Sequence, residues 1–80
     1  MVKVRRMDDT GHSCLTETSG APTWNHNDDS DVDLDFAQSA VAPYLNQGYF
    51  LVDEAAKRLV KPGEMSNKSS YTLMPPVAGG

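Results

Sequence analysis

The sequence predicts an α+β domain in which a small β-sheet packs against a single helix. Three stretches carry that reading. Val2 and Val4 alternate with Lys3 and Arg5, the period-two pattern of a half-buried strand. Leu34, Ala37, Val41 and then Tyr44 or Leu45 recur at helical spacing, with Phe36 and Ala40 alongside, which draws one apolar stripe along a helix. Tyr71-Thr72-Leu73-Met74 alternates once more and forms the last strand.

Taken in order, residues 1–7 form the first strand, with Val2 and Val4 facing the core and Arg6 on the same side at the strand's end. Asp8-Asp9-Thr10-Gly11 supplies turn chemistry, and residues 12–18 return as the second strand of an antiparallel hairpin. Cys14 and Thr16 fall on one face of that strand, Ser13 and Leu15 on the other. Residues 19–31, rich in Gly, Pro, Asn and Asp, read as a connection, with Trp24 covering one edge of the core. Asp28, Asp29, Asp31, Asp33 and Asp35 gather before the helix, where its partial positive charge favours them, and Asp31 or Asp33 is placed to cap it. Pro43 should kink the helix or end its regular part near Ala42, and Gly48 suits the C-terminal cap.

Tyr49-Phe50-Leu51-Val52 is a continuous apolar run, as in a strand buried on both faces. Residues 57–61 then make a short return strand, with Ala55 and Ala56 in the turn. A helix over residues 52–60 is the competing reading, since Val52, Ala55, Ala56 and Leu59 also share helical spacing. Pro62-Gly63 comes so soon afterwards that the strand is preferred. Residues 64–70 form a polar loop before the final strand.

Eighty residues make one small domain, and 39% apolar residues keep it outside the disordered range. A net charge of −4 argues against a nucleic-acid partner, which would need clustered Lys and Arg. No stretch has the length of a membrane span or the character of a signal segment, so the expected location is the cytoplasm. Cys14 is the sole cysteine; it can form no internal disulfide and reads as a small buried hydrophobe. The aspartate run fails as a calcium loop, because counting from Asp29 the sixth and twelfth positions hold Leu34 and Ala40 instead of Gly and Glu. His12, Cys14 and His26 lack the spacing of a zinc site. No nucleophile elbow, phosphate loop or dinucleotide fingerprint is present, so the chain reads as a substrate for enzymes and not as one itself.

The last strand runs into Pro75, Pro76, Val77, Ala78, Gly79 and Gly80. Each proline removes a backbone donor, so no sheet continues through them. Residues 1–76 are therefore expected to be the folded domain, and residues 77–80 a flexible arm. Two terminal glycines would let that arm enter a channel too narrow for any side chain. Its terminal carboxylate could then serve as a reagent.

This ending resembles that of the ubiquitin-like β-grasp carriers. The likeness is closest to the molybdopterin synthase small subunit and related sulfur carriers, and bacterial ubiquitin-like modifiers share the terminal Gly-Gly. The resemblance implies a mixed sheet of four or five strands packed on one helix, with the first and last strands side by side in its middle. It also implies a partner activating enzyme that uses ATP and magnesium to adenylate Gly80, while Gly79, Ala78, Val77, Pro76 and Pro75 are recognised as the tail. The chain itself would bind no cofactor. The adenylate then has two fates. Capture by a conjugating enzyme's cysteine and then by a target lysine makes the chain a protein modifier. Sulfide delivery makes a thiocarboxylate, and the chain becomes a sulfur carrier for a molybdopterin- or thiamin-type synthesis partner subunit. The segment Lys61-Pro62-Gly63-Glu64 and the polar stretch after it depart from the sulfur carriers, which places the modifier first. A third reading is an interaction subunit whose tail is never activated. Lys3, Lys57, Lys61 and Lys68 read as ordinary solvated lysines.

Overall fold

The computed structural model describes residues 1–8 and 11–76. Strands β1 (Lys3–Asp8), β2 (Gly11–Thr18) and β3 (Ala21–His26) come first, succeeded by helix α1 (Leu34–Asn46). Strands β4 (Phe50–Asp53) and β5 (Arg58–Leu59), a short 3₁₀ turn (Pro62–Glu64) and β6 (Ser70–Met74) complete the order. The strands form one mixed six-stranded sheet in the order β3-β2-β1-β6-β4-β5. β1 and β6 are parallel and the other neighbours antiparallel, so the first and last strands lie side by side in the middle. Among the described residues no helix is long and apolar enough to cross a membrane.

One face of the sheet carries the core. Val2, Val4, Leu15, Leu51, Tyr71 and Leu73 meet Ala37, Ala40 and Val41 of α1 there, as the alternation of β1 and β6 requires. Tyr71 turns its polar end to good use, since its Oη accepts the Ser66 N–H at 2.8 Å.

The sheet has six strands where four or five were expected. Residues 21–26, which read as loop, are β3, paired with β2 from Thr18↔Ala21 to Ser13↔His26. Ser19 and Gly20 both have positive φ, at 53° and 80°, the geometry of the tight two-residue turn that matches strand twist. The dipeptide is a weaker signal than Asn-Gly, and Pro22 and Asn25 hide the strand beyond it. An edge strand tolerates both. Ser19→Asn should raise stability by about 0.5 kcal/mol in urea melts, because asparagine bears the left-handed region at lower cost than serine. An unchanged or lowered midpoint would contradict this turn.

Residues 53–61 are not helical. Residues 54–57 turn the chain, and only Arg58 and Leu59 pair back onto β4. Asp53 organises that turn by accepting the Ala55 and Ala56 N–H groups at 2.9 and 3.1 Å.

Pro43 does not stop the helix, which runs on to Asn46. Its last turn is closed by a Schellman motif: Gly48 N–H reaches Leu45 O at 3.1 Å and Tyr49 N–H reaches Tyr44 O at 3.0 Å. Gly48, at φ 97°, takes the position only glycine fills easily. Tyr44 and Tyr49 also meet edge to face at 5.2 Å, which supplies the apolar contact of that motif. At the other end, Asp33 occupies the N-cap position without a side-chain capping bond. Asp31 pairs with Lys3 instead of capping.

That pairing belongs to a clasp on the sheet's second face. Cys14 lies opposite Arg5 in the ladder and so shares its face, away from α1. It is nevertheless buried, because residues 27–31 cross over it and its thiol meets Ser30 O at 3.3 Å. Burial pushes the Cys14 thiol above its ordinary pKa. Lys3 Nζ holds the Asp29 carbonyl and carboxylate, each at 2.9 Å, and Arg5 reaches the same carboxylate at 3.2 Å. The hydrogen bond from Lys3 lowers the Asp29 pKa below the usual 3.8, and the same bond raises Lys3 above 10.5. A depressed carboxylate stabilises the fold above its unfolded value and ceases to as pH falls through its folded value. A raised lysine contributes below 10.5 and ceases to as pH rises through its folded value. Protection of the Val32 amide, which bonds Val2 O at 2.9 Å beside the clasp, should therefore fall at both extremes. Asp29→Asn should remove most of the acid limb. If the variant keeps the wild-type acid limb, Asp29 does not hold the loop.

Candidate functional site

The residues singled out from the sequence are the last six, and the structure describes two of them. Pro75 and Pro76 are exposed and continue directly from β6. Val77, Ala78, Gly79 and Gly80 lie outside the described residues, as do Asp9 and Thr10 of the first turn.

β6 fixes where Pro75 starts. It is hydrogen-bonded on both sides, to β1 through Lys3↔Ser70 to Arg6↔Leu73 and to β4 through Phe50↔Met74 to Asp53↔Tyr71. Tyr71 and Leu73 are buried on the core face, so the strand is held by side chains as well as by its ladders. Pro76 then passes against Gly48, where an added Cβ would sit 3.6 Å from the proline ring. A strand in the sheet's centre is among the last to open locally. The chain therefore leaves β6 at Pro75 from a fixed point.

An aromatic and cationic cluster that the sequence did not reveal supports this end of the domain. Arg6, opposite Leu73, has its guanidinium 4.9 Å from the Trp24 ring centre and 5.3 Å from that of Tyr44. Its Nη1 donates to Tyr44 Oη at 2.7 Å, and Nη2 lies 3.8 Å from the Asp8 carboxylate. Nε is buried with no hydrogen-bond partner among the described residues, so the ring faces supply part of what water would have given it. Trp24 meets Tyr44 edge to face at 5.6 Å. β3 thus carries the tryptophan to the edge of the core as expected, but onto an arginine. The signal available in the sequence was parity, since Arg6 falls on the Val2 and Val4 side.

Elsewhere the described side chains offer little chemistry. His26 Nδ1 approaches His12 O at 3.1 Å, and no three His, Cys, Asp or Glu side chains among the described residues gather as a metal set. Cys14 is covered and its thiol is held protonated, the opposite of a nucleophile's setting.

The second face of the sheet is divided. Its β1–β2 half lies under residues 27–31, while its β4–β5 half is open. The run from Tyr49 to Val52, expected to be buried on both faces, is covered on one. Leu51 is in the core, but Phe50 is 45% exposed and Val52 only half-buried. Periodicity cannot say whether a second layer lies above a strand. Here the second face carries the Glu54 carboxylate, which accepts from Thr72 Oγ1 at 2.9 Å and lies 3.7 Å from Arg5 Nη1.

No protein-family model, curated protein or solved structure matches this chain.

Proposed function

We propose that this chain is a ubiquitin-like β-grasp protein whose Gly80 carboxylate is activated by a partner enzyme and joined to lysines of other proteins. The observation that carries the reading is the placement of β6: central in the sheet, parallel to β1, and passing straight into Pro75-Pro76 and the Val-Ala-Gly-Gly sequence. The helix on one face and the paired first and last strands agree with a β-grasp, and β3 is an added edge strand.

The chain supplies position, not catalysis. A carboxylate oxygen of Gly80 attacks the α-phosphorus of ATP and expels pyrophosphate, with magnesium held by the activating enzyme and the phosphates. The acyl-adenylate has AMP as its leaving group. An enzyme thiol displaces AMP to give a thioester, and a lysine amine then displaces the thiol to form the isopeptide. In the second reading, favoured by the Pro-Pro-Val-Ala-Gly-Gly ending, a sulfide displaces AMP and leaves a thiocarboxylate. Both share the first step, so one assay tests both. Extract of the native host should exchange labelled pyrophosphate into ATP when the purified chain is added, and a chain ending at Pro76 should not support it. Equal exchange with the two chains would remove the tail from the reaction.

A further inference from the structure

Residues 27–31 cover part of the sheet's second face without an apolar side chain of their own, since their sequence is Asn-Asp-Asp-Ser-Asp. This strap is pinned at both ends. The Ser13↔His26 pair of β2 and β3 precedes it, and Val32 exchanges backbone hydrogen bonds with Val2 at 2.8 and 2.9 Å just after it. Between the pins, among the described residues, no backbone-to-backbone hydrogen bond involves residues 28–31. Asp28 accepts the Ser30 N–H at 2.9 Å, but that bond is internal to the strap. What presses the strap onto the sheet is the hold of Lys3 Nζ on Asp29 and Asp31 at 2.9 and 3.3 Å, and of Arg5 Nη2 on Asp29 at 3.2 Å. A weak bond from the Cys14 thiol to Ser30 O completes it. A segment held in this way opens at a lower free energy than a packed core.

Arg5 is not committed to the strap alone. While Nη2 reaches Asp29, Nη1 lies 3.7 Å from the carboxylate of Glu54, in the turn after β4. Glu54 is held independently of the strap. Its N–H bonds Ser70 O at 3.0 Å, and its carboxylate accepts from Thr72 Oγ1 at 2.9 Å. It therefore stays in place when the strap lifts. Lifting takes from Lys3 both of the carboxylates it pairs with among the described residues, but leaves Arg5 with one. The Asp29 side chain is 75% exposed, so each of its pairs is worth little and is screened by salt.

We propose that residues 27–31 form a detachable cover, latched by Lys3 and Arg5 on Asp29 and opposed by Glu54, which competes for Arg5. The cover lifts and recloses while α1 and the core beneath it stay folded, because the two faces of the sheet are held by different forces. Apolar burial holds the helix side, and ion pairs hold the strap. Removing Glu54 tightens the cover, since Arg5 then has no carboxylate to keep in the open state and Asp29 has no rival in the closed one. Lifting bares Cys14, which serves only as the reporter of the open state. The cover works without the tail, and its opening does not depend on activation of Gly80.

The test is the rate at which Cys14, the sole cysteine, reacts with 4,4′-dithiodipyridine, an uncharged disulfide, at fixed pH. The reaction should be slower than that of a small free thiol and should rise severalfold between about 0.05 and 1 M salt. Asp29→Asn should speed it about threefold, and Glu54→Gln should slow it about twofold. The opposite signs are diagnostic. Removing either carboxylate favours the thiolate, so a direct electrostatic effect on the thiol would speed both. Both variants should melt within a few degrees of wild type, and exchange of the Leu73 amide should not follow the Cys14 rate. Glu54→Gln that speeds the reaction or leaves it unchanged would overturn the proposal, as would a rate indifferent to salt. An opening free energy at Cys14 equal to that at the Leu73 amide would do the same, since the strap would then leave only with the whole fold.

Discussion

Leu73→Ala is expected to lower the unfolding free energy by about 3 kcal/mol, within the range of roughly 2–5 that buried leucines give when truncated. Leu73 is fully buried in β6, between β1 and β4 and beneath α1, so the surrounding strands cannot collapse into the space it leaves. Domains of this size have about 0.05–0.15 kcal/mol per residue to lose. The variant should therefore be largely unfolded at moderate urea, with Trp24 fluorescence as the probe and the urea midpoint as the readout. Leu59→Ala, on the open face, should change stability by no more than about 0.5 kcal/mol. A loss at Leu73 below about 1 kcal/mol would mean that β6 is not the centre of the domain.

Gly79→Val should do the reverse, abolishing pyrophosphate exchange while leaving the melting curve unchanged. A valine adds a branched side chain and restricts φ, and a channel shaped for a bare backbone excludes both. The position comes after the last strand and the two prolines in sequence. Retained exchange would show that the tail does not thread. A lowered melting point would show that residue 79 packs on the domain.

These two variants divide the chain as its sequence does. The strands and helix that alternation or helical spacing marks clearly are legible: Val2 and Val4, the stripe from Leu34 to Leu45, and Tyr71 with Leu73 all lie where their period puts them. The illegible elements depend on neighbours distant in sequence. β3 contains Pro22, Asn25 and His26, poor strand formers that an edge accepts because β2 supplies all of its pairing. Pro43 reads as a stop, yet α1 continues because its final turn is closed by Gly48 and Tyr49 and packed through Tyr44. The aspartates before the helix read as partners of its dipole, whereas Asp29 and Asp31 answer to Lys3 and Arg5 across the sheet. Arg6 can be assigned a face, but not the Trp24 and Tyr44 rings that enclose it.

The candidate site divides in the same way. The tail is a sequence feature through and through, and its chemistry is inferred from Gly79 and Gly80. Its anchorage is a property of the fold, visible only when β6 is seen between β1 and β4. The open apolar half-face joins the two at Met74, which belongs to that face and immediately precedes Pro75.

The most direct test of the account is mass spectrometry of an amino-terminally tagged copy, recovered from its native host under denaturing, non-reducing conditions. The account predicts a chain whose last residue is Gly80, with partner lysines that carry a Gly-Gly remnant after proteolysis; a thiocarboxylate on Gly80 would select the sulfur-carrier form of the same chemistry. A chain that continues past Gly80, or one that ends in an unmodified carboxylate and forms no adducts in cells that need the protein, would contradict it.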